Sequence, residues 1–244
     1  MEKDTNKKVS VVIAAYNEEP RISNVLKVIK NHPLVDETIV IDDGSTDNTS
    51  EVAKRYKVKL IENKDNLGKT LAIKKGIESA KNDLILLLDA DLKRLDSEAV
   101  TKLIEPVMNE KVDWTLSLRG NSLWYMKLLK IDWISGERVI PRELLADPLI
   151  WSKPKISYSL ETLMNKSLLD KKATFYSVYL PNVFCTPKTE KIGFIKGWLG
   201  EFKMTFMMLK VLPPHKIIGQ FLTMAYLNKK YKNNLIAKQS LDEA

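Results

Sequence analysis

The sequence predicts an α/β fold: a mostly parallel sheet covered on both faces by helices, followed by a C-terminal amphipathic helical extension. Three observations carry this expectation. Short apolar runs rich in β-branched residues recur through roughly the first 90 residues, as buried parallel strands require. Each run is followed by a segment whose apolar residues have helical spacing. The unusual polar residues fall where the runs end, which is where ligands sit in such sheets.

Val9 to Ala15 (VSVVIAA) is the first strand. After Pro20, the spacing of Ile22, Val25, Leu26 and Ile29 predicts a helix that ends near Asn31-His32-Pro33, because proline forbids continuation. Thr38 to Ile41 reads as the second strand. Ser45-Thr46-Asp47-Asn48 offers several N-caps for a helix running to about Tyr56. Val58 to Ile61 is the third strand, 68–80 the next helix, and Leu84 to Leu88 the fourth and most apolar strand. Beyond Asp113 the alternation is irregular. The simplest division is a catalytic domain over 1–192 and a basic helical extension over 193–244, in which Pro213-Pro214 interrupts the amphipathic pattern.

With 44% hydrophobic and 29% charged residues, the chain of 244 residues has the composition of a globular protein with a sizeable core. Its single cysteine, Cys185, excludes an intramolecular disulfide and any cysteine-rich zinc site. The charged start MEKDTNKKVS lacks a signal-peptide stretch, and the longest aliphatic run falls far short of the roughly 20 residues that span a bilayer. The expectation is a cytoplasmic protein. The net charge of +8 is concentrated at the end, where ten lysines face four acids from Thr186 onward. There Phe194, Trp198, Phe202, Phe206, Met207 and Leu209 interleave with Lys196, Lys203 and Lys210. That pattern suits either a helix on an anionic membrane surface or one packed on the domain.

Three polar loops follow the strands: Tyr16-Asn17-Glu18, Asp42-Asp43-Gly44 and Asp89-Ala90-Asp91. If the backbone stays extended, Asp89 and Asp91 project to one side and can hold a hard divalent cation, Mg2+ or Mn2+, completed by phosphate oxygens and water. Two rival motifs fail. Gly68-Lys69-Thr70 imitates the end of a P-loop, but Asn63 stands where that loop needs its first glycine, and no Gly-x-Gly-x-x-Gly follows the first strand.

The blocks VSVVIAAYNEE, TIVIDDGSTDNT and NLGKTLAIKKGIESAKNDLILLLDADL resemble glycosyltransferase family 2, with its Rossmann-like GT-A fold, in order and spacing over about residues 8–95. The resemblance implies a UDP- or GDP-hexose donor. It assigns Ala14, Tyr16 and Glu18 to base and ribose, Asp43 to the base edge, and Lys69 to the diphosphate. Asp89, Ala90 and Asp91 match the donor- and metal-binding segment, with Asp89 and Asp91 as ligands and Asp91 also catalytic. A further resemblance, through Ser117-Leu118-Arg119, Ser135-Gly136-Glu137-Arg138-Val139 with Arg142, Leu160-Glu161 and Leu180-Pro181, is to the dolichyl- or polyprenyl-phosphate mannosyl- and glucosyltransferase branch. It implies that Arg119, Ser135 and Arg138 receive an acceptor phosphate, for which the arginine fork is well suited. The alternative is that these arginines pair with Glu137 or Glu143.

One departure stands out. Lys93 occupies a position where the branch can supply a further polar metal ligand, and His215 is not assigned that role. Glu161 is the candidate general base for a hydroxyl acceptor, whereas a phosphate acceptor is already an anion and needs none. The expected reaction is transfer of a hexose, with inversion implied by the family, to a polyprenyl phosphate. Its rivals are transfer to a soluble hydroxyl or phosphorylated small molecule, and a non-catalytic sugar- or membrane-binding module. Expected partners are therefore a nucleotide-sugar and a lipid phosphate, with peripheral contact on the cytoplasmic membrane face and no nucleic acid.

Overall fold

The computed structural model describes residues 8–156, 159–187, 190, 193, 207 and 209–242, with side chains described through residue 233. The first half follows the expected alternation: β1 (Val9–Ala15), α1 (Ile22–Ile29), β2 (Val35–Asp42), α2 (Thr49–Lys54), β3 (Lys59–Glu62), α3 (Lys69–Glu78) and β4 (Leu84–Leu87). After these come β5 (Leu92–Lys93), α4 (Ser97–Met108), β6 (Trp114–Arg119), α5 (Trp124–Leu128) and β7 (Arg138–Pro141). The rest comprises α6 (Ser159–Asp170), β8 (Phe175–Leu180), β9 (Phe184–Cys185) and α7 (Pro214–Asp242).

Seven strands form one sheet in the order β3-β2-β1-β4-β7-β6-β8, and β5 pairs with β9 in a separate ribbon. Within the large sheet only β7 runs antiparallel to its neighbours β4 and β6. The order reverses between β1 and β4, which opens a crevice at their carboxyl ends. The mostly parallel sheet extends three strands beyond the four legible in the sequence.

Alternation along β1 explains the layering. Val9, Val11 and Ile13 meet α1 and α4 on one face through Ile22, Leu26, Val100 and Leu103. Val12 belongs to the opposite core, with Ile73 of α3, Leu160 and Met164 of α6, and Met224 of α7. The sheet is buried on both sides, which is why its strands read as continuous apolar runs.

The C-terminal helix begins at Pro214, where a missing N–H costs nothing. It packs on the domain as far as its side chains are described. Gln220 Nε2 donates to the Thr162 carbonyl at 3.0 Å. Asn228 accepts from Ser177 N and donates to the Lys130 carbonyl, at 2.9 and 2.8 Å. Phe221 meets Tyr125 and Trp133, and Tyr231 meets Phe175. Phe194, Lys196, Trp198, Phe202, Lys203 and Phe206 lie outside the described residues. Among the described residues no helix is long and apolar enough to cross a membrane.

Docking of α7 into the core sets a stability contrast. Met224→Ala, at a fully buried position, is expected to lower unfolding free energy by about 2–5 kcal/mol, whereas Leu222→Ala on the exposed side should change it by no more than about 0.5 kcal/mol. Denaturant titration of both variants checks this, and equal effects would mean that the helix is not part of the core.

Candidate functional site

Each polar loop is fixed by its neighbours. Asn17 adopts a left-handed conformation, φ 55°, so that its N–H donates to Ser45 Oγ at 3.0 Å while its Oδ1 accepts from Thr46 N at 2.8 Å. Glu18 N donates to Thr49 Oγ1 at 2.8 Å, and the Glu18 carboxylate pairs with Arg21. These bonds tie the end of β1 to the loop after β2. They leave Tyr16 exposed at the rim, with Ala14 half-buried behind it.

Asp43 shapes the next wall. Its carboxylate accepts from Asn63 Nδ2 at 2.8 Å, Leu67 N at 3.0 Å and Gly68 N at 2.7 Å. The 63–68 loop is thereby drawn in and delivers Lys69, the first residue of α3. Gly44 permits the approach: its φ is 76°, and a Cβ there would lie 2.8 Å from the Asp65 backbone. Asn63, which merely excluded a P-loop at the sequence level, is thus a buried structural partner of Asp43.

At the tip of β4 the charges converge. Lys69 Nζ lies 2.8 Å from Asp89 Oδ1 and 2.9 Å from Glu161 Oε1, so α3, β4 and α6 meet at one ammonium. Arg119, at the end of β6, approaches Asp89 at 3.9 Å, Glu137 at 3.4 Å and Asp132 at 3.1 Å. Burial alone would push the Asp89 carboxyl up, but Lys69 and Arg119 outweigh it and hold the pKa at about 2. Burial opposes the charge on Lys69 in the same way, yet Asp89 and Glu161 raise its pKa well above the ordinary lysine value. Asp89 is therefore a carboxylate at neutral pH.

Asp91 is buried beside it, and Thr186 Oγ1 donates to its carbonyl at 2.8 Å. Ala90 is buried between the two acids. Lys93 turns away to pair with Glu190, at 2.5 and 2.7 Å from its two oxygens. Burial pushes the Cys185 thiol up to about 12, so it stays protonated and is a poor cation ligand. Among the described residues no group of three His, Cys, Asp or Glu side chains is placed to hold a metal. An ionised Asp89 with Asp91 nearby still suits Mg2+ or Mn2+, which take one or two protein carboxylates and fill the remaining positions with substrate oxygens and water.

Of the anticipated acceptor residues, Ser135 lies beneath the floor and Arg138 forms part of it. Ser135 is fully buried, its hydroxyl 2.7 Å from Ser117 Oγ and 2.7 Å from Glu137 Oε2. Arg138 is also buried: it donates to the Ser135 and Trp133 carbonyls at 2.8 and 2.9 Å and to Asn165 Oδ1 at 2.6 Å. Its guanidinium sits 5.6 Å from the Trp114 ring centroid. Burial lowers the Arg138 pKa to about 10, which still leaves it charged. Both residues support the site from beneath, while Arg119 sits nearest Asp89.

The arginine pairings expected with Glu137 or Glu143 take a different form. Arg119 pairs with Glu137, but in the interior, and Arg142 reaches Asp83 at 2.8 Å. Sequence reasoning missed Asp132, Asn165 and the role of Gly136, where a Cβ would come within 2.6 Å of the Asp89 carboxylate. The one available signal was the presence of charged and hydroxyl residues within β6 and β7. A small pocket lined by Lys69, Ile73, Asp89, Gly136, Arg138 and Glu161 occupies the centre.

The depressed Asp89 pKa has a pH consequence. Its stabilising contribution is complete above the unfolded carboxyl value of 3.8 and is lost as pH falls toward about 2. Unfolding free energy measured from pH 5 to pH 2 should therefore fall less steeply for Asp89→Asn than for the wild type. Identical slopes would contradict the ion pairing.

Comparison with known proteins agrees with this architecture. A family model described as glycosyl transferase family 2 matches residues 10–135. The dolichol-phosphate mannosyltransferase of Pyrococcus furiosus is 35% identical over 42% of this chain and 30% of its own length. The glucosyl-3-phosphoglycerate synthase of Mycolicibacterium smegmatis is 33% identical over 64% of this chain and 54% of its own length. The chain thus spans about a third to a half of the length of these curated relatives. A crystal structure of glucosyl-3-phosphoglycerate synthase from Mycobacterium tuberculosis, in complex with Mn2+, UDP and glucosyl-3-phosphoglycerate, superposes with a TM-score of 0.66. It is 23% identical and covers 86% of this chain and 81% of that one, and at that identity it speaks for the fold. The matched model, the switch-point crevice and the acidic tip of β4 lead to one conclusion: this chain belongs to glycosyl transferase family 2.

Proposed function

We propose that the protein transfers a hexose from a UDP- or GDP-sugar to a phosphate-bearing acceptor, with a polyprenyl phosphate as the first candidate. The observation that carries this reading is the ionised Asp89 at the mouth of the crevice, flanked by Lys69 and Arg119. A nucleoside occupies the wall built by Ala14, Tyr16 and Glu18, with Asp43 fixing the 63–68 loop around the base. Asp89 and Asp91 would hold Mg2+ or Mn2+. When bound, that cation supplies neutralisation of the charge that grows on the departing nucleoside diphosphate. Lys69 adds a second cationic group on the same side.

Arg119 orients the acceptor anion. It is already drawn toward three carboxylates, those of Asp89, Asp132 and Glu137, and of these it shares Asp89 with the mouth of the crevice. Ser135 and Arg138 act through position, by fixing Glu137, Trp133 and the floor beneath Asp89. Glu161 holds Lys69 in place and takes up a proton only where the attacking group is a hydroxyl.

A second reading, transfer to a soluble phosphorylated hydroxyl acceptor, is favoured by one specific observation. The glucosyl-3-phosphoglycerate synthase match spans more of this chain than the dolichol-phosphate mannosyltransferase match. The two readings differ at Glu161, since a lipid phosphate attacks as an anion.

The test is release of nucleoside diphosphate over a donor panel, with lipid phosphates and with small phosphorylated alcohols. Lipid-phosphate-dependent turnover that persists at about wild-type rate in Glu161→Gln supports the first reading. Turnover only with a soluble alcohol, lowered about 100-fold or more by the same substitution, supports the second. No release with any pair, despite intact nucleotide binding, would contradict both.

A further inference from the structure

Seven of the eleven large apolar side chains exposed on the described surface lie on or beside α5 and on α7. Trp124 and Leu128, one helical turn apart on α5, are 76% and 71% exposed. Ile218, Leu222 and Tyr226 form a line along α7 with i, i+4 spacing and are 58%, 54% and 67% exposed. The two helices are neighbours. The Tyr125 ring stands edge-on to Phe221 at 5.9 Å, and Asn228 of α7 donates to the Lys130 carbonyl just after α5. The exposed residues thus lie on two neighbouring helices; isolated surface leucines would need no explanation, but seven large apolar side chains exposed on two adjoining elements do.

The charged residues of the two segments have one sign. Residues 121–131 contain Lys127 and Lys130 and no acid, and residues 214–233 contain four lysines and no acid. Lys127, Lys130, Lys229 and Lys230 are all exposed. Apolar residues that include a tryptophan and a tyrosine, on segments whose charged residues are all lysines, are complementary to a lipid headgroup layer with negative charge, where aromatic rings settle at the interface and lysines meet phosphate. Four residues, Gly120 to Leu123, connect Arg119 of the site to Trp124.

We propose that the α5–α7 face is a docking surface for an anionic lipid bilayer, on which the protein rests with the β6 end of the crevice toward the membrane. This surface differs from the 194–210 segment singled out by the sequence, and it does not depend on the transfer reaction or on the identity of the acceptor. Docking is an interfacial contact: the helices stay packed on the sheet, and only the exposed side chains enter the headgroup region.

The test is co-sedimentation with phosphatidylcholine vesicles, with and without phosphatidylglycerol, using the full chain and no donor or acceptor. The variants are Trp124→Ser/Leu128→Ser, Ile218→Ser/Leu222→Ser and Lys127→Glu/Lys229→Glu. All six positions are exposed, so melting temperature and nucleotide binding should match the wild type. The expected result is binding to phosphatidylglycerol vesicles that weakens at high salt and falls at least tenfold in each variant. Absence of wild-type binding, or binding equal in all variants, would overturn the proposal. So would a concentration-dependent dimer in sedimentation velocity that the apolar variants abolish while vesicles have no effect, which would make the face a contact with a second copy. Loss of vesicle binding with nucleotide binding intact separates failure here from failure of the proposed reaction.

Discussion

The ionised carboxylate of Asp89 is the constraint around which the rest of the molecule is arranged. A carboxyl group at the end of a buried strand tends to keep its proton, and Lys69 and Arg119 reverse that tendency. Each of these cations arrives on a different element, at the start of α3 and at the end of β6, and each is itself anchored. The loop that carries Lys69 is drawn in by Asp43, and Arg119 is pinned by Asp132 and Glu137. The strand order places all of these at the same edge of the sheet, because β6 is parallel to β4 through the antiparallel β7 between them.

Burying so many charges is costly unless they have partners, and the floor of the site meets most of that requirement through a shared network, although Arg119 Nε and Asp132 Oδ1 have no hydrogen-bond partner. Burial raises the Glu137 pKa against the pull of Arg119, and the Ser117 and Ser135 hydroxyls surround its carboxyl. Arg138 lies over Trp114, which stacks on Phe175 at 4.8 Å, and Phe175 meets Tyr231 of α7 at 6.0 Å. A continuous stack therefore runs from beneath Asp89 to the C-terminal helix. This gives α7 a part in supporting the site in addition to covering the sheet.

The first four strands and three helices were legible because each apolar run is short, β-branched and followed by a helical period, and the observed ends of β1 and β4 fall within a residue of the expected ones. β6, β7 and β8 were not. Ser117, Arg119 and Arg138 interrupt the apolar pattern of β6 and β7, because the floor network is built from those two strands. Asp89 and Lys69 could be singled out from position and resemblance, but their meeting with Glu161, 92 residues from Lys69, is a property of the folded chain. The interior placement of Arg138 was equally hidden, since the arginine of a phosphate site and an arginine stacked on a buried tryptophan look alike in one dimension. In the tail, the amphipathic pattern left open whether the helix faces protein or lipid. The structure shows that α7 packs its Ile217, Phe221 and Met224 side on the domain while Ile218, Leu222 and Tyr226 stay outside.

The most direct measurement is titration calorimetry of UDP and GDP, with Mn2+ and with chelator, on the wild type and on Asp89→Asn shown to be folded by circular dichroism. One nucleotide should bind the wild type with an affinity that depends on the metal, and the substitution should remove that dependence while leaving the fold intact. Metal-dependent binding that survives unchanged in Asp89→Asn would contradict the role given to this carboxylate.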